Sequence, residues 1–252
     1  MFLGIDACKG GWVVARVKDS GSFDTIRFEK SFGAILSLVQ KLDITLGLID
    51  IPIGLKSTGM EERKCDREAR SFLGNIRGSS VFRVPIRRAI YSETREISSQ
   101  INFQQTGKKI SLQSWAIAPK IKEVDSLFRK SPDLQTYLRE SHPEVCFCGL
   151  NSGQPMVFSK KDRRGLIERL KILKQCDYDS ELVYTDASYH YPRTLIAKDD
   201  ILDAMALAFS AYKVFDDRPY SFPGDNSVEI DEYGLRQEII YWVSAEEISD
   251  KK

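Results

Sequence analysis

The sequence predicts an α/β fold built on a mixed sheet, and three observations lead to this prediction. Residues 2–29 contain three β-rich segments separated by short turns, as in a meander of antiparallel strands. Residues 32–39 then repeat apolar side chains at helical spacing. Residues 45–51 form a continuous β-rich run, which predicts a buried strand parallel to the first, because the crossover between two such strands is right-handed.

The individual elements of this first part follow from local patterns. Residues 2–6 form the first predicted strand and residues 12–17 the second, joined by a tight turn at Lys9-Gly10-Gly11. The third strand is predicted at residues 25–29, where apolar and polar side chains alternate. One apolar face defines the first helix, which carries Phe32, Ile35, Leu36 and Val39.

The remaining elements are separated by a long segment of different character. Residues 53–141 do not continue the rhythm of strands, and we expect them to form an inserted subdomain of a single domain, with a helix near residues 115–129. We predict a fifth strand at residues 144–147 and two helices at residues 164–174 and 200–215.

Composition excludes some classes of protein. The chain has 252 residues, 42% of them hydrophobic, which is enough for a core. No apolar run approaches the roughly 20 residues that span a bilayer, and the first residues do not resemble a signal peptide, so we expect no membrane partner and a cytoplasmic location. With 37 basic and 36 acidic residues, the net charge of +1 does not by itself indicate a nucleic-acid-binding protein.

The distribution of charge is more informative than its sum. The first basic segment, residues 63–91, has eight basic and two acidic residues, and the second, residues 156–176, has seven basic and two acidic. Such segments either bind a phosphate backbone or form ordinary solvated surface. We predict that they flank the site described next and bind a polyanion there.

Carboxylates stand at the ends of otherwise apolar segments. Asp6 ends the first strand and Asp50 the fourth, so both lie at the carboxyl edge of the sheet, where open α/β sheets bind ligands. Asp203 is surrounded by apolar residues in the last helix and shares a helix face with Asp199 or Asp200. Carboxylates placed in this way are costly to bury unless a cation meets them.

Grouped carboxylates suit divalent metal ions. Several acids in one pocket repel one another, whereas Mg²⁺ or Mn²⁺ would hold them together and activate water for phosphodiester hydrolysis. Glu144 is a further candidate, unless it faces solvent. The simpler alternatives are that Asp6 caps a turn and that Asp199 and Asp200 start the helix, as aspartate often does.

A family resemblance agrees with this interpretation. The residues that carry it are Gly4-Ile5-Asp6 with Gly10-Gly11-Trp12, Asp50-Ile51-Pro52-Ile53-Gly54-Leu55, Arg63, Cys65-Asp66, Gly78-Ser79-Ser80-Val81-Phe82, Gln113, Trp115, Pro119-Lys120, His142-Pro143-Glu144 and Asp199-Asp200-x-x-Asp203-Ala204. With these residues the chain resembles domain-of-unknown-function family 429, bacterial and archaeal proteins regarded as predicted ribonuclease-H-like nucleases. The acid spacing on the last helix is similar to that of Holliday-junction resolvases, and the first helix lacks the acid of true ribonuclease H.

The resemblance implies a fold and a site. The implied fold is a ribonuclease-H-like mixed sheet of five strands in the order 3-2-1-4-5, flanked by helices, with a large insertion after the fourth strand. The implied metal ligands and catalytic acids are Asp6, Asp50, Asp200 and Asp203, with Glu144 as a further catalytic acid. The implied substrate-binding residues are Arg63, Asp66, Ser79, Ser80, Gln113 and Lys120. Asp66 has a simpler alternative, an ion pair with Arg63 or Arg70 on one helix face.

The predicted function is therefore a Mg²⁺- or Mn²⁺-dependent nuclease, with two alternatives. The turn at residues 6–11 is also similar to the phosphate loop of actin-like ATPases and small-molecule kinases, although no convincing second phosphate turn follows the fourth strand. The other alternative is a non-enzymatic adaptor that binds nucleic acid. DNA, RNA and small nucleotides all remain open as substrates.

Overall fold

The computed structural model describes residues 1–217, 219–224 and 227–244 and has an α/β architecture. Its central sheet has five strands in the order β3-β2-β1-β4-β5. These strands are β1 (Phe2–Cys8), β2 (Gly11–Val17), β3 (Phe23–Glu29), β4 (Leu46–Ile49) and β5 (Leu138–Glu140). The first three form an antiparallel meander, and β1, β4 and β5 are mutually parallel. The predicted fold class and strand order are confirmed.

Helices flank this sheet and form most of the insertion. They are α1 (Phe32–Leu42), α2 (Lys64–Arg77), α3 (Arg87–Ile90), α4 (Arg95–Thr106), α5 (Leu112–Lys130), α6 (Pro143–Leu150), α7 (Arg163–Cys176), α8 (Ser180–His190) and α9 (Lys198–Asp216). Two short antiparallel pairs complete the description, β6 (Tyr220–Phe222) with β9 (Ile239–Tyr241) and β7 (Glu229–Ile230) with β8 (Arg236–Gln237). No helix among the described residues combines the length and the apolar character needed to cross a membrane.

The position predicted for the fifth strand is wrong. Residues 144–147 lie in α6, and the strand beside β4 is Leu138–Glu140, inside the range 53–141 expected for the insertion. His142 caps α6, since its Nδ1 accepts a hydrogen bond from the Glu144 N–H, and Pro143 occupies the first helical position. A short, fully buried helix is apolar on every face, so its sequence lacks the periodicity that would distinguish it from a buried strand.

Helix α9 crosses one face of the sheet at very close range. A Cβ atom added to Gly4 in β1 would lie 2.0 Å from the carbonyl oxygen of Ala204 and 2.2 Å from the backbone nitrogen of Ala208. Glycine in the strand and alanine in the helix thus let the two backbones approach each other. This packing brings the beginning of α9, with Asp200 and Asp203, next to the carboxyl ends of β1 and β4.

The segment between β4 and β5 packs on the other side and beyond the strand ends. Phe128 of α5 contacts Phe32 of α1, with 6.3 Å between the ring centroids. Arg87, at the start of α3, forms ion pairs with Asp125 of α5 and with Asp231. These buried contacts fix the inserted helices against the body of the domain, so that they wall the space beyond the sheet edge.

Candidate functional site

A cavity of about 700 Å³ opens at the carboxyl ends of the three parallel strands. The strands are in close register there, because the Asp50 N–H donates to the Ile5 carbonyl (2.9 Å) and the Ser141 N–H to the Ile49 carbonyl (3.0 Å). The carboxylates that line the cavity are Asp6, Asp50, Asp66, Glu140, Glu144 and Asp200. The edge of the sheet is therefore strongly acidic, as the sequence predicts.

The aspartates at this edge influence one another. Burial, then the carboxylates of Asp50, Asp203 and Asp200, hold the pKa of Asp6 well above its ordinary value. Burial also raises the pKa of Asp50, against the opposing effects of His142 and Lys160. Burial and Asp199 raise the pKa of Asp200 to about 6. These shifts have the sign expected for carboxylates that lose solvent and repel each other.

Lys160 supplies a positive charge at the centre of this group. Its Nζ lies 2.5 Å from Oδ2 of Asp203, whose side chain is buried, and Asp203 raises the pKa of the ammonium. The same charge opposes the rise in the pKa values of Asp6 and Asp50, which both stay above the ordinary value. In this arrangement the ammonium of Lys160 partly neutralises the carboxylates that we expected to bind metal.

Glu144 lies in the cavity wall at the start of α6 and is only 4% exposed. Its Oε1 accepts a hydrogen bond of 2.5 Å from Nη2 of Arg169, a fully buried residue of α7. Arg169 also donates to the carbonyls of Phe158 and Gly165. Glu144 therefore anchors α7 with one oxygen, and its other oxygen is buried without a hydrogen-bond partner among the described residues.

Arg63 and Asp66, two of the expected substrate-binding residues, form a buried ion network with Glu140. The Arg63 guanidinium donates to Asp66 at 2.5 and 3.0 Å and to Glu140 at 2.5 and 2.8 Å. It also donates to the carbonyls of Ile53 and Gly54. Burial raises the pKa of Glu140 even though Arg63 opposes this shift. The salt-bridge alternative for Asp66 is thus observed, with Arg63 as partner.

The other predicted residues lie at several places around the cavity. Ser80, Gln113 and Lys120 line it, and the Lys120 ammonium lies 4.5 Å from the centre of the Trp12 ring. Ser79 is exposed and lies outside the cavity lining. Asp199 forms an ion pair with Lys161, 2.5 Å away, and does not line the cavity either. Of the two acids considered at the helix start, Asp200 is the one that faces the site.

Sequence reasoning missed Glu140 and His142 as residues of this site, and it included Lys160 only as part of the second basic segment expected to flank the site. Glu140 ends β5 just as Asp50 follows β4, so the same rule would have found it had the strand been placed at residues 138–140. His142 precedes Pro143 and caps α6, a pattern that predicts a helix start. The basic composition of its segment indicated that Lys160 lies near the site, but its pairing with Asp203 depends on the tertiary packing that brings its loop to α9.

Two buried oxygen atoms indicate that a cation would be accommodated here. Oδ1 of Asp203 and Oε2 of Glu144 have no hydrogen-bond partner among the described residues. Carboxylate oxygens are the ligands that Mg²⁺ and Mn²⁺ prefer. In the described part of the chain, no three His, Cys, Asp or Glu side chains are placed to hold a metal ion as they stand. The donor chemistry fits a divalent cation, and the Lys160 ammonium occupies one of the carboxylates that would hold it.

The fold and site together define an α/β protein with a carboxylate-lined cavity at the edge of a mixed five-stranded sheet. The sequence profile of DUF429, described as a protein of unknown function, matches residues 4–228. The chain belongs to this family, so the predicted membership is confirmed. No curated protein and no solved structure matches the chain.

Proposed function

We propose that the protein is a metal-dependent hydrolase that cleaves a phosphodiester bond in a nucleic acid or nucleotide. The observation that carries this proposal is the grouping of Asp6, Asp50 and Asp200, from three separate segments, in the lining of one cavity. Asp203 is buried next to them, close enough to raise the pKa of Asp6. Mutual repulsion among buried carboxylates lowers the stability of the empty site, and a divalent cation relieves it. Few structural roles would require so many acids at one edge of a sheet.

The acidic residues at the sheet edge would hold the cation, and the cation would act on the phosphate and on water. Asp6, Asp50 and Asp203 would hold Mg²⁺ or Mn²⁺, with Asp200 and Glu144 beside them. A bound cation would stabilise negative charge on the phosphate and make water more acidic. Hydrolysis adds a water oxygen to phosphorus and breaks the bond to the leaving oxygen, which takes a proton.

A metal titration combined with a cleavage assay tests the proposal. Mn²⁺ should raise the melting temperature of the protein, by an amount equivalent to about 2.7 kcal/mol at a hundredfold excess over Kd. Single- and double-stranded DNA and RNA should be screened for Mn²⁺-dependent cleavage. Asp6→Asn should abolish both effects, because it removes a charge and keeps the shape of the side chain.

The control is Asp186→Asn, which changes an exposed aspartate of α8 far from the cavity. It should leave the Mn²⁺ response unchanged. Absence of both a thermal shift and cleavage in the unmodified protein would overturn the proposal in favour of the adaptor. Turnover of ATP without diester cleavage would favour the kinase alternative.

A further inference from the structure

The lining of the cavity combines two kinds of side chain. Carboxylates at the sheet edge form one part, and apolar side chains of the insertion form another, among them Phe82, Val84 and Ile117. These three are only partly buried. Acids that suit a metal-bound phosphate, together with apolar side chains in one cavity, suit a substrate with a flat organic group next to a phosphate.

The volume of the cavity limits what enters it. About 700 Å³ lies within the range of roughly 300–1,000 Å³ that is usual for sites that enclose small molecules. Gln113, Ala116 and Lys120 of α5 line the same cavity as Asp6 at the strand ends. A duplex requires a face on which a row of phosphates can lie, whereas the lining here comes from both the sheet edge and α5.

The basic segments offer few cations for a long polyanion. In the first segment, six of the eight basic side chains already have partners within the described part of the chain: Arg63, Lys64, Arg70, Arg77, Arg83 and Arg87. In the second segment, the same holds for five of seven: Lys160, Lys161, Arg164, Arg169 and Lys174. Binding along a duplex depends on several cations that are available to phosphates. Most of these side chains are thus already engaged in contacts within the chain.

Lysine ammonium groups also lie at the cavity itself. Lys9 and Lys120 lie in its lining together with Lys160, which is paired with Asp203. Lys9 is exposed, and burial lowers the pKa of Lys120, which is consistent with a partly desolvated ammonium above the Trp12 ring. This number of positive charges matches one or two phosphates rather than a polymer.

From these observations we infer that the site takes a phosphodiester of nucleotide size, with its phosphate at the carboxylates and its base or aryl group against Phe82 and Ile117. The inference rests on the proposed hydrolase function and specifies its substrate. Hydrolysis of such a diester consumes one water and yields a phosphate monoester and an alcohol. A duplex is not expected to place a scissile phosphate at the acids.

The test compares substrates of different size in the presence of Mn²⁺. The probes are the p-nitrophenyl ester of thymidine 5′-monophosphate, which releases p-nitrophenol, and a blunt synthetic DNA duplex. We expect cleavage of the small ester, with at least about tenfold higher kcat/KM than for the duplex. Cleavage of the duplex with equal or higher kcat/KM would overturn this inference and leave the hydrolase proposal intact. If the protein neither binds Mn²⁺ nor cleaves either probe, both this inference and the hydrolase proposal are overturned.

Two variants test where the organic group lies. Ala116→Trp adds a large ring to an exposed position that faces the cavity, and should raise KM for the small ester by about tenfold with little change in Mn²⁺ affinity. Leu182→Trp, on the exposed face of α8, is the matched control and should change neither quantity. Phe82→Ala should also raise KM, through loss of the aromatic wall. Unchanged KM in both cavity variants would overturn the inference.

Discussion

The ammonium of Lys160 lies 2.5 Å from the carboxylate of Asp203, within the group of acids at the edge of the sheet. Both side chains come from segments distant in sequence, a loop after α6 and the first turns of α9. The contact places a cation of the protein where we propose that a metal ion binds. Lys160 and a divalent cation should therefore compete for the same carboxylates.

Replacing Lys160 tests this competition. Lys160→Met should lower the free energy of unfolding of the metal-free protein by about 1–3 kcal/mol, because buried carboxylates lose their cation. The same variant should bind Mn²⁺ about tenfold more tightly, since no ammonium has to be displaced. Thermal melts over a range of Mn²⁺ concentrations measure both quantities.

Lys161→Met is the matched control for this variant. Lys161 pairs with Asp199, outside the cavity lining, and its side chain is 70% exposed. An exposed pair contributes roughly 0–1 kcal/mol, so this change should affect stability little and leave Mn²⁺ affinity unchanged. Weaker or equal Mn²⁺ binding in Lys160→Met would contradict displacement of the lysine.

The pH dependence of stability should reveal the raised pKa of Asp200. This pKa is about 6 in the folded protein, against about 3.9 for an unperturbed aspartate. The folded state therefore holds the proton more tightly than the unfolded state. The resulting stabilisation is complete below about pH 4 and is lost as the pH rises through about 6, and it amounts to at most about 3 kcal/mol.

Asp200→Asn isolates this contribution, because asparagine can still accept the hydrogen bond from the Ala197 N–H but does not titrate in this range. Urea unfolding with EDTA present, between pH 4 and pH 7, measures the difference between the two proteins. The stability of the wild type relative to the variant should fall as the pH rises. A difference that is independent of pH would show that the carboxyl is not perturbed.

Arg63 should act on stability rather than only on substrate affinity. Removing its side chain leaves Asp66 and Glu140 buried without a cation, so Arg63→Ala should lower the free energy of unfolding by about 3–5 kcal/mol. The control is Arg67→Ala, at an exposed position of α2. This change should alter the free energy of unfolding by no more than about 0.5 kcal/mol. Equal stability of the two variants by chemical denaturation would refute a structural role.

Gly4 should control both stability and the geometry of the site. Gly4→Ala forces a Cβ against the backbone of α9, which should cost at least about 1–3 kcal/mol and move Asp203 away from Asp6. Mn²⁺ affinity should fall as well. Gly33 lies in α1, and the atom nearest to the new Cβ in Gly33→Ala would be 3.8 Å away. Stability and Mn²⁺ affinity should therefore be maintained in this control. Equal Mn²⁺ affinity in both variants would contradict this role of Gly4.

The sequence predicted the meander, the parallel fourth strand and the apolar last helix because each is encoded by a local pattern. Alternation or continuous apolar runs mark β1 to β4, and short turns separate them. The same patterns place Asp6 and Asp50 at strand ends, and the apolar surroundings of Asp203 mark it as a carboxylate in need of a partner. These acids do lie at one edge of the sheet.

Other features depended on contacts between distant segments. Residues 144–147 have the composition of a strand, but their helix is set by a cap at His142 and by burial on every side. Arg63 could not be distinguished from a substrate-binding cation until the structure placed Glu140 beside it.

Local sequence patterns thus determined β1 to β4 and α9, together with the acids at the ends of β1 and β4, because backbone periodicity and turn chemistry act over a few residues. Tertiary structure alone decided which charges meet. Lys160 and Asp203 are 43 residues apart in sequence, and Arg63 and Glu140 are 77 apart. Electrostatic pairing acts through space, so the partner of a buried charge is fixed only once the helices and strands have packed.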